Sequence, residues 1–253
     1  VIAALALAEL CGPVRFDRFD VEAPGGVVGK AEAMPWVQLA GVSEKQTVNV
    51  MSVVLAMIQE SPIVADYGLD PGLTRIYLDN GRGRLEPITA SAPTAEGARP
   101  TAVFPDETHW WTDSNGGAKL DQVNRRNVGK SRGGTARVLE TTNAHGLGSN
   151  SVAERSHKAF VAARDEGRGT GLLYDSREAP PDVDLAGPEL EDAIRATYGD
   201  SLWIDVQRIK DEIYDLSTPA SDSRRFYLNQ VADADDALLS APEWVACLSL
   251  IHI

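Results

Sequence analysis

Thr101-Ala102-Val103-Phe104-Pro105-Asp106-Glu107 is a short apolar run that ends abruptly in two adjacent carboxylates. About thirty residues later a second apolar run, Ala136-Arg137-Val138-Leu139-Glu140, ends in Thr141-Thr142-Asn143-Ala144. A helical segment, Leu120 to about Val128, lies between them. In an open α/β sheet the carboxyl ends of such strands face the crevice where ligands bind. Two carboxylates there suit a hydrated Mg²⁺ and a water aimed at a phosphate. The polar Thr141-Thr142-Asn143 would then sense a terminal phosphate from the neighbouring strand. Asp-Glu after a strand also serves as a plain cap for whatever follows. The order and spacing of the two runs favour the chemical reading.

Outward from this pair, the pattern alternates between strand and helix. Trp36 to Val42 reads as a buried strand, and Ser43 with Gln46 three residues on reads as a capping box. The helix it opens runs through Val50, Val54 and Ile58 to about Glu60. Thr74 to Leu78 and Leu85 to Ala90 form a strand pair around the turn Asp79-Asn80-Gly81. Ser91 to Pro100, which contains Arg99, is a polar loop. Further on come a helix at Ser151 to Ala163 and a strand at Gly171 to Tyr174. Val1 to Leu10 is a helix stopped by Gly12-Pro13, whereas residues 24–29 and 62–72 read as irregular. These elements predict an α/β fold, a largely parallel sheet flanked by helices, over residues 1–178. The acidic, proline-containing stretch from Ala179 to Asp184 reads as a stiff linker. Helices at about 188–198 and 203–215 and the block Arg224 to Gln230 make a small helical C-terminal appendage, residues 179–247. Residues 248–253 continue no pattern and read as a foreign tail. Pro105 is expected to end its strand early, because proline is disfavoured inside a sheet.

The chain has 253 residues, 43% hydrophobic and 24% charged, and a net charge of −13. That balance argues against wrapping nucleic acid over the whole surface. A local basic group does exist: Arg125, Arg126, Lys130, Arg132 and Arg137. It suits either the phosphate backbone of a nucleic acid or simply a solvated helix end. Cys11 and Cys247 lack the spacing of a metal site or a disulfide framework, and the four histidines are scattered. A reducing, cytoplasmic setting fits. The opening helix has no basic flank and is too short to cross a membrane. It starts without a cap, so upstream sequence is expected.

Several stretches together resemble the large subunit of a tailed-phage terminase, in particular the type carried by phages of actinobacteria. They are Ala4 to Val14, Val42-Ser43-Glu44-Lys45-Gln46-Thr47, Asp106-Glu107-Thr108-His109-Trp110, Arg126-Asn127, Thr141-Thr142-Asn143-Ala144, Ser151-Val152-Ala153-Glu154 and Arg225-Phe226-Tyr227-Leu228-Asn229-Gln230. The resemblance runs from residue 1 to about 247. It implies a P-loop NTPase-like core that uses ATP and Mg²⁺ to drive double-stranded viral DNA into a capsid. Asp106 would hold Mg²⁺ through water, Glu107 would polarise the attacking water, and Thr141, Thr142 and Asn143 would couple hydrolysis to movement. Arg99 would reach a phosphate of its own or a neighbouring subunit. Arg125, Arg126, Lys130 and Arg132 are the candidates for touching DNA.

The same resemblance implies a homo-oligomeric ring that works with the portal protein and the small terminase subunit. Its setting would be the cytoplasm of the infected bacterium, at the procapsid portal, with no membrane partner. The family's phosphate-binding loop is not among these residues, and Gly129-Lys130-Ser131 is a decoy, since it follows a helix rather than a strand. A nuclease domain is expected beyond residue 247. This stretch by itself is therefore expected neither to bind ATP tightly nor to cut DNA. Two other readings stand beside it: a helicase of the Asp-Glu-x-His kind, and a non-catalytic docking module whose Asp-Glu merely caps a helix.

Overall fold

The Ala- and Leu-rich opening segment is helix α1 (Ile2–Cys11), and its Ala6, Leu7 and Leu10 are buried. Gly12 stops it, and its amide donates a hydrogen bond back to Ala8 O (2.7 Å). The computed structural model describes residues 1–90, 96–169 and 171–232. Its contacts divide the chain into two compact units, Val1–Thr141 and Thr142–Ile253.

In the first unit, β1 (Arg15–Phe19) and β2 (Val27–Lys30) make an antiparallel hairpin. The sequence reading has a loop at 24–29, where a 3₁₀ turn (Pro24–Gly26) and the start of β2 actually lie. The hairpin carries little apolar alternation, because charge anchors it. Buried Arg15 pairs with Glu9 (2.8 Å) and Glu32 (2.9 Å) and donates to Thr101 O. Then follow β3 (Trp36–Gly41), α2 (Glu44–Ile58), α3 (Ile63–Tyr67), β4 (Leu69–Pro71), β5 (Ile76–Leu78) and β6 (Gly83–Thr89). α3 and β4 occupy residues read as irregular; they are too short to show a period. The unit closes with β7 (Ala102–Pro105), α4 (Gly117–Gly129) and β8 (Arg137–Val138).

The sheet order is β4-β5-β6-β3-β7-β8. β6, β3, β7 and β8 run parallel, and β4 and β5 form an antiparallel edge. The fold expected from the sequence, a mostly parallel sheet flanked by helices, is the one found. Val37 and Leu39 stand in register with Ala102 and Phe104, and these four share a core with α1 and α2. Alternate residues point to the opposite face, and α4 packs on β7 and β8. Both faces are thus covered, as a parallel sheet requires.

Pro105 does not cut β7 short. It is buried and lies beside Ala40 of β3. What it interrupts is β8. Pro105 O accepts from Thr141 N (3.0 Å), so its nitrogen faces the same neighbour, and that nitrogen has no hydrogen to give. Regular pairing with β8 therefore stops at Val138, and a single parallel bridge, Asp106 with Thr141, resumes it.

The second unit is helical: α5 (Val152–Asp165), α6 (Leu190–Tyr198), α7 (Val206–Tyr214) and a π-helical turn at Ser223–Tyr227. Leu190, Ile194, Val206, Ile213 and Leu228 form its core, together with Ala179 and Val183. The segment read as a linker is therefore packed, and Ala179 N donates to Leu228 O (3.0 Å). The sequence reading put a boundary near residue 178; the contacts divide at 141. Gly171 to Tyr174 forms no strand. Tyr174 instead stacks on Phe160 of α5, ring centroids 4.3 Å apart. Cys247 and residues 248–253 lie outside the described residues.

Glu154 organises the loop before α5. Its carboxylate accepts from the amides of Gly148 (3.0 Å) and Asn150 (2.6 Å) and from Ser149 Oγ (3.2 Å), and it pairs with Lys158 (2.8 Å). Burial works to raise its pKa, but Lys158 and then the two amides outweigh burial and bring it down to about 2. A carboxylate depressed in this way stabilises the folded state above its ordinary pKa near 4.5 and loses that contribution as pH falls toward 2. The full contribution is about 3 kcal/mol. We expect Glu154→Gln to lower stability in urea by about 2–3 kcal/mol at pH 7. The same variant should flatten the loss of stability between pH 4.5 and 2. A variant that keeps the wild-type acid profile would remove Glu154 from that role.

Candidate functional site

β3 and β7 end side by side, and the residues that follow them meet at one edge of the sheet. Asp106, the first residue past β7, donates its amide to Ala40 O (3.1 Å) and so continues the ladder. Its Oδ1 accepts from Thr141 Oγ1 (2.8 Å) and from Glu107 N (3.0 Å). Its carbonyl accepts from the indole of fully buried Trp111 (2.9 Å). The carboxylate is therefore held from the neighbouring strand, from its own backbone and from the core. Gly117 makes the tight return of the chain possible, since a Cβ there would lie 2.7 Å from Trp111 Cα and 2.8 Å from Val42 Cγ1.

Glu107 sits in left-handed backbone, φ 53° and ψ 48°, a conformation rare for a residue with a Cβ. Such strain concentrates at functional positions. Glu107 is followed by a 3₁₀ turn, Thr108–Trp110, yet its side chain makes no cap to it. It reaches instead to Gln46, whose Nε2 donates to Glu107 Oε2 (2.9 Å). Capping is thus not what this side chain does. Ser43 and Gln46 do form the capping box read from the sequence, with Gln46 N donating to Ser43 Oγ. The link from Gln46 to Glu107 was missed, although a Gln in the first turn after a central strand already placed it on this edge.

Thr108 is fully buried and donates to Glu140 Oε1 (2.6 Å). Glu140 Oε2 accepts from Arg125 Nη2 (3.2 Å), and Arg125 Nε also pairs with Asp121 (2.8 Å). Burial lowers and the pairing with Asp121 and Glu140 raises the Arg125 pKa; the pairing prevails. Arg125 is thus committed to two carboxylates and ties α4 to the loops at this edge. Arg137 pairs likewise with Glu9 (3.3 Å), and Arg126 faces Glu96 at 3.8 Å. Lys130 is exposed, and the Arg132 side chain lies outside what is described. Arg125 and Arg137 are therefore neutralised within the fold. Gly129-Lys130-Ser131 ends α4, as expected of a decoy.

Arg99 is exposed and precedes β7, whereas the acidic pair follows it. The strand's length, about 13 Å at 3.3 Å per residue, separates them. Arg99 therefore stands at the opposite end of β7 from the acidic pair. Thr141 belongs to the acidic site through its bond to Asp106. Thr142 and Asn143 line a cleft of about 270 Å³ within the second unit, with Asp175, Arg177 and Asn229. Thr142 Oγ1 donates there to Asn143 O (2.8 Å).

Among the described residues Asp106 Oδ2 and Glu107 Oε1 take no hydrogen bond from protein, so each faces outward with capacity to accept. No group of three or more His, Cys, Asp or Glu able to hold a metal occurs among the described residues. That donor set fits Mg²⁺, which binds through one or two carboxylates, waters and substrate phosphates rather than an all-protein cage.

No family model matches the chain. The crystal structure of the HK97 bacteriophage large terminase superposes on 91% of the chain and 43% of its own length, with a TM-score of 0.64 and 15% identity. The fold is that of a phage large terminase. Two curated phage proteins, both called Gene 13 protein, are similar in sequence. That of Mycobacterium phage L5 is 38% identical over 97% of this chain, and that of Mycobacterium phage D29 is 36% identical over 98%. The chain spans 44% of the length of each. No helix among the described residues is long and apolar enough to cross a membrane.

Within this terminase fold the Thr141 hydroxyl is the only side-chain donor to the Asp106 carboxylate among the described residues. Thr141→Val keeps the shape and removes it. We expect a loss of about 1.5–3 kcal/mol in urea denaturation, the usual cost of a hydrogen bond to a charged group. Unchanged stability would mean that the hydroxyl does not restrain the carboxylate.

Proposed function

We propose that this chain is the ATPase portion of a phage terminase large subunit, which couples ATP hydrolysis to movement of double-stranded viral DNA into the capsid. The observation that carries the proposal is the arrangement at the end of β7: an Asp fixed by a neighbouring-strand hydroxyl, followed by a strained Glu that reaches out of the loop rather than capping it. Mg²⁺, when bound with ATP, would neutralise charge on the transferred phosphate. Asp106 would hold it through water with Oδ2. Glu107 Oε1 would accept a hydrogen bond from the attacking water and orient it. Positioning and charge stabilisation supply nearly all the catalysis in phosphoryl transfer, so fixed carboxylates are what the reaction needs.

Thr141, Thr142 and Asn143 follow directly on the strand beside Asp106 and lead into the second unit. That continuity supports a coupling role, in which a change at Asp106 is passed along the chain. In the longer protein we assign a ring of subunits, the portal protein and the small terminase subunit as partners, and the procapsid portal in the infected cell as its place. Lys130, Arg126 and Arg132 remain candidates for DNA contact; Arg125 is withdrawn because its charge is spent on Asp121 and Glu140. The described part of the second unit holds helices rather than a second parallel sheet, so this unit is not itself the second motor domain that a helicase would need.

The test uses a protein of the full length of the relatives. Glu107→Gln should reduce ATP turnover by about a hundredfold or more while ATP affinity stays within about twofold. Turnover at the wild-type rate would remove Glu107 from the reaction.

A further inference from the structure

We propose that Gln46 is the positioning residue for Glu107, aiming its carboxylate from the first turn of α2; this rests on the role assigned to Glu107 above. The geometry points one way. Gln46 Oε1 accepts from the amides of both Val42 (3.1 Å) and Ser43 (3.3 Å). Two backbone donors on one oxygen fix which end of the side-chain amide is which. The NH₂ end must then face Glu107, and Nε2 donates to Oε2 at 2.9 Å. With Oε2 engaged, Oε1 is the atom presented to a reacting water.

The Glu107 side chain makes no bond to the turn that follows it, so that turn does not hold its direction. Gln46 supplies that direction from a rigid element. Its own amide caps α2, and the cap is fastened to the end of β3, the strand that pairs with β7. One residue therefore reads the relative position of α2 and β7 and passes it to the carboxylate. A shift of about 1 Å in such a group can cost a hundredfold in rate.

Gln46→Glu separates the two jobs. Glutamate keeps the acceptor that the capping box uses, and Ser-x-x-Glu is a favoured box. It replaces the donor facing Glu107 by a second carboxylate oxygen. In the full-length protein we expect kcat for ATP to fall about tenfold or more, with KM within about twofold and a melting temperature within about 2 °C of wild type. Unchanged or raised kcat, with Glu107→Gln inactive beside it, would overturn the positioning role and leave the assignment of Glu107 intact. Wild-type turnover in Glu107→Gln would remove both.

A second measurement needs no nucleotide. In the 253-residue chain, hydrogen exchange of the Gln46 side-chain amide, identified by its loss in Gln46→Glu, should speed up about tenfold in Glu107→Ala. Equal exchange rates would show that the bond does not hold in solution and would end the proposal.

Discussion

Parallel pairing sends the carboxyl ends of neighbouring strands to one edge, and everything at this site depends on β3, β7 and the run after β8 obeying that constraint. β3 is buried along its length and cannot be moved without opening the core. β7 is locked to it in register from Ala102 to Pro105. The position of Asp106 then follows, because its amide completes the ladder to Ala40. Thr141 arrives beside it for the same reason. The acid is thus located by backbone hydrogen bonds first and refined by side chains second.

Pro105 shows how a local irregularity serves that edge. A residue with an N–H would extend the pairing with β8 without a break. Proline withholds the donor, so the chain after Val138 is tied back at fewer points, by Leu139 to Val103 and by Thr141 to Pro105. Thr141 remains placed to donate its hydroxyl to Asp106. The strain at Glu107 comes one residue further on, where the strand turns away. Burial of Trp111 and the close approach of Gly117 hold that turn shut.

Much of this was legible in the residues. Short apolar runs and the Asp79-Asn80-Gly81 turn marked β3, β5, β6 and β7, and the Ser43–Gln46 box marked the start of α2. The parallel character of the sheet followed from alternation of strand and helix. What was not legible has a common cause: elements held by charge or by only a few residues carry no apolar period. The β1–β2 hairpin rests on buried Arg15 with Glu9 and Glu32, and α3 and β4 have five and three residues. The stretch around Ala179 looked like a linker because prolines and aspartates dominate it, yet Ala179 and Val183 are the two small apolar side chains that its core needed. At the site, charge counting misjudged Arg125, since a sequence does not reveal which cations already have carboxylate partners. Arg99 is close to Asp106 in number, but a whole strand lies between them.

The most direct measurement is a crystal structure of the full-length protein with a non-hydrolysable ATP analogue and Mn²⁺ in place of Mg²⁺, the metal located by its anomalous signal. We expect the metal about 4–5 Å from the Asp106 carboxylate, joined to it by a water, as a hydrated Mg²⁺ site requires. Glu107 Oε1 should face a water in line with the terminal phosphate. Metal and phosphates bound at another edge of the sheet, with Asp106 and Glu107 left to bulk water, would contradict the assignment.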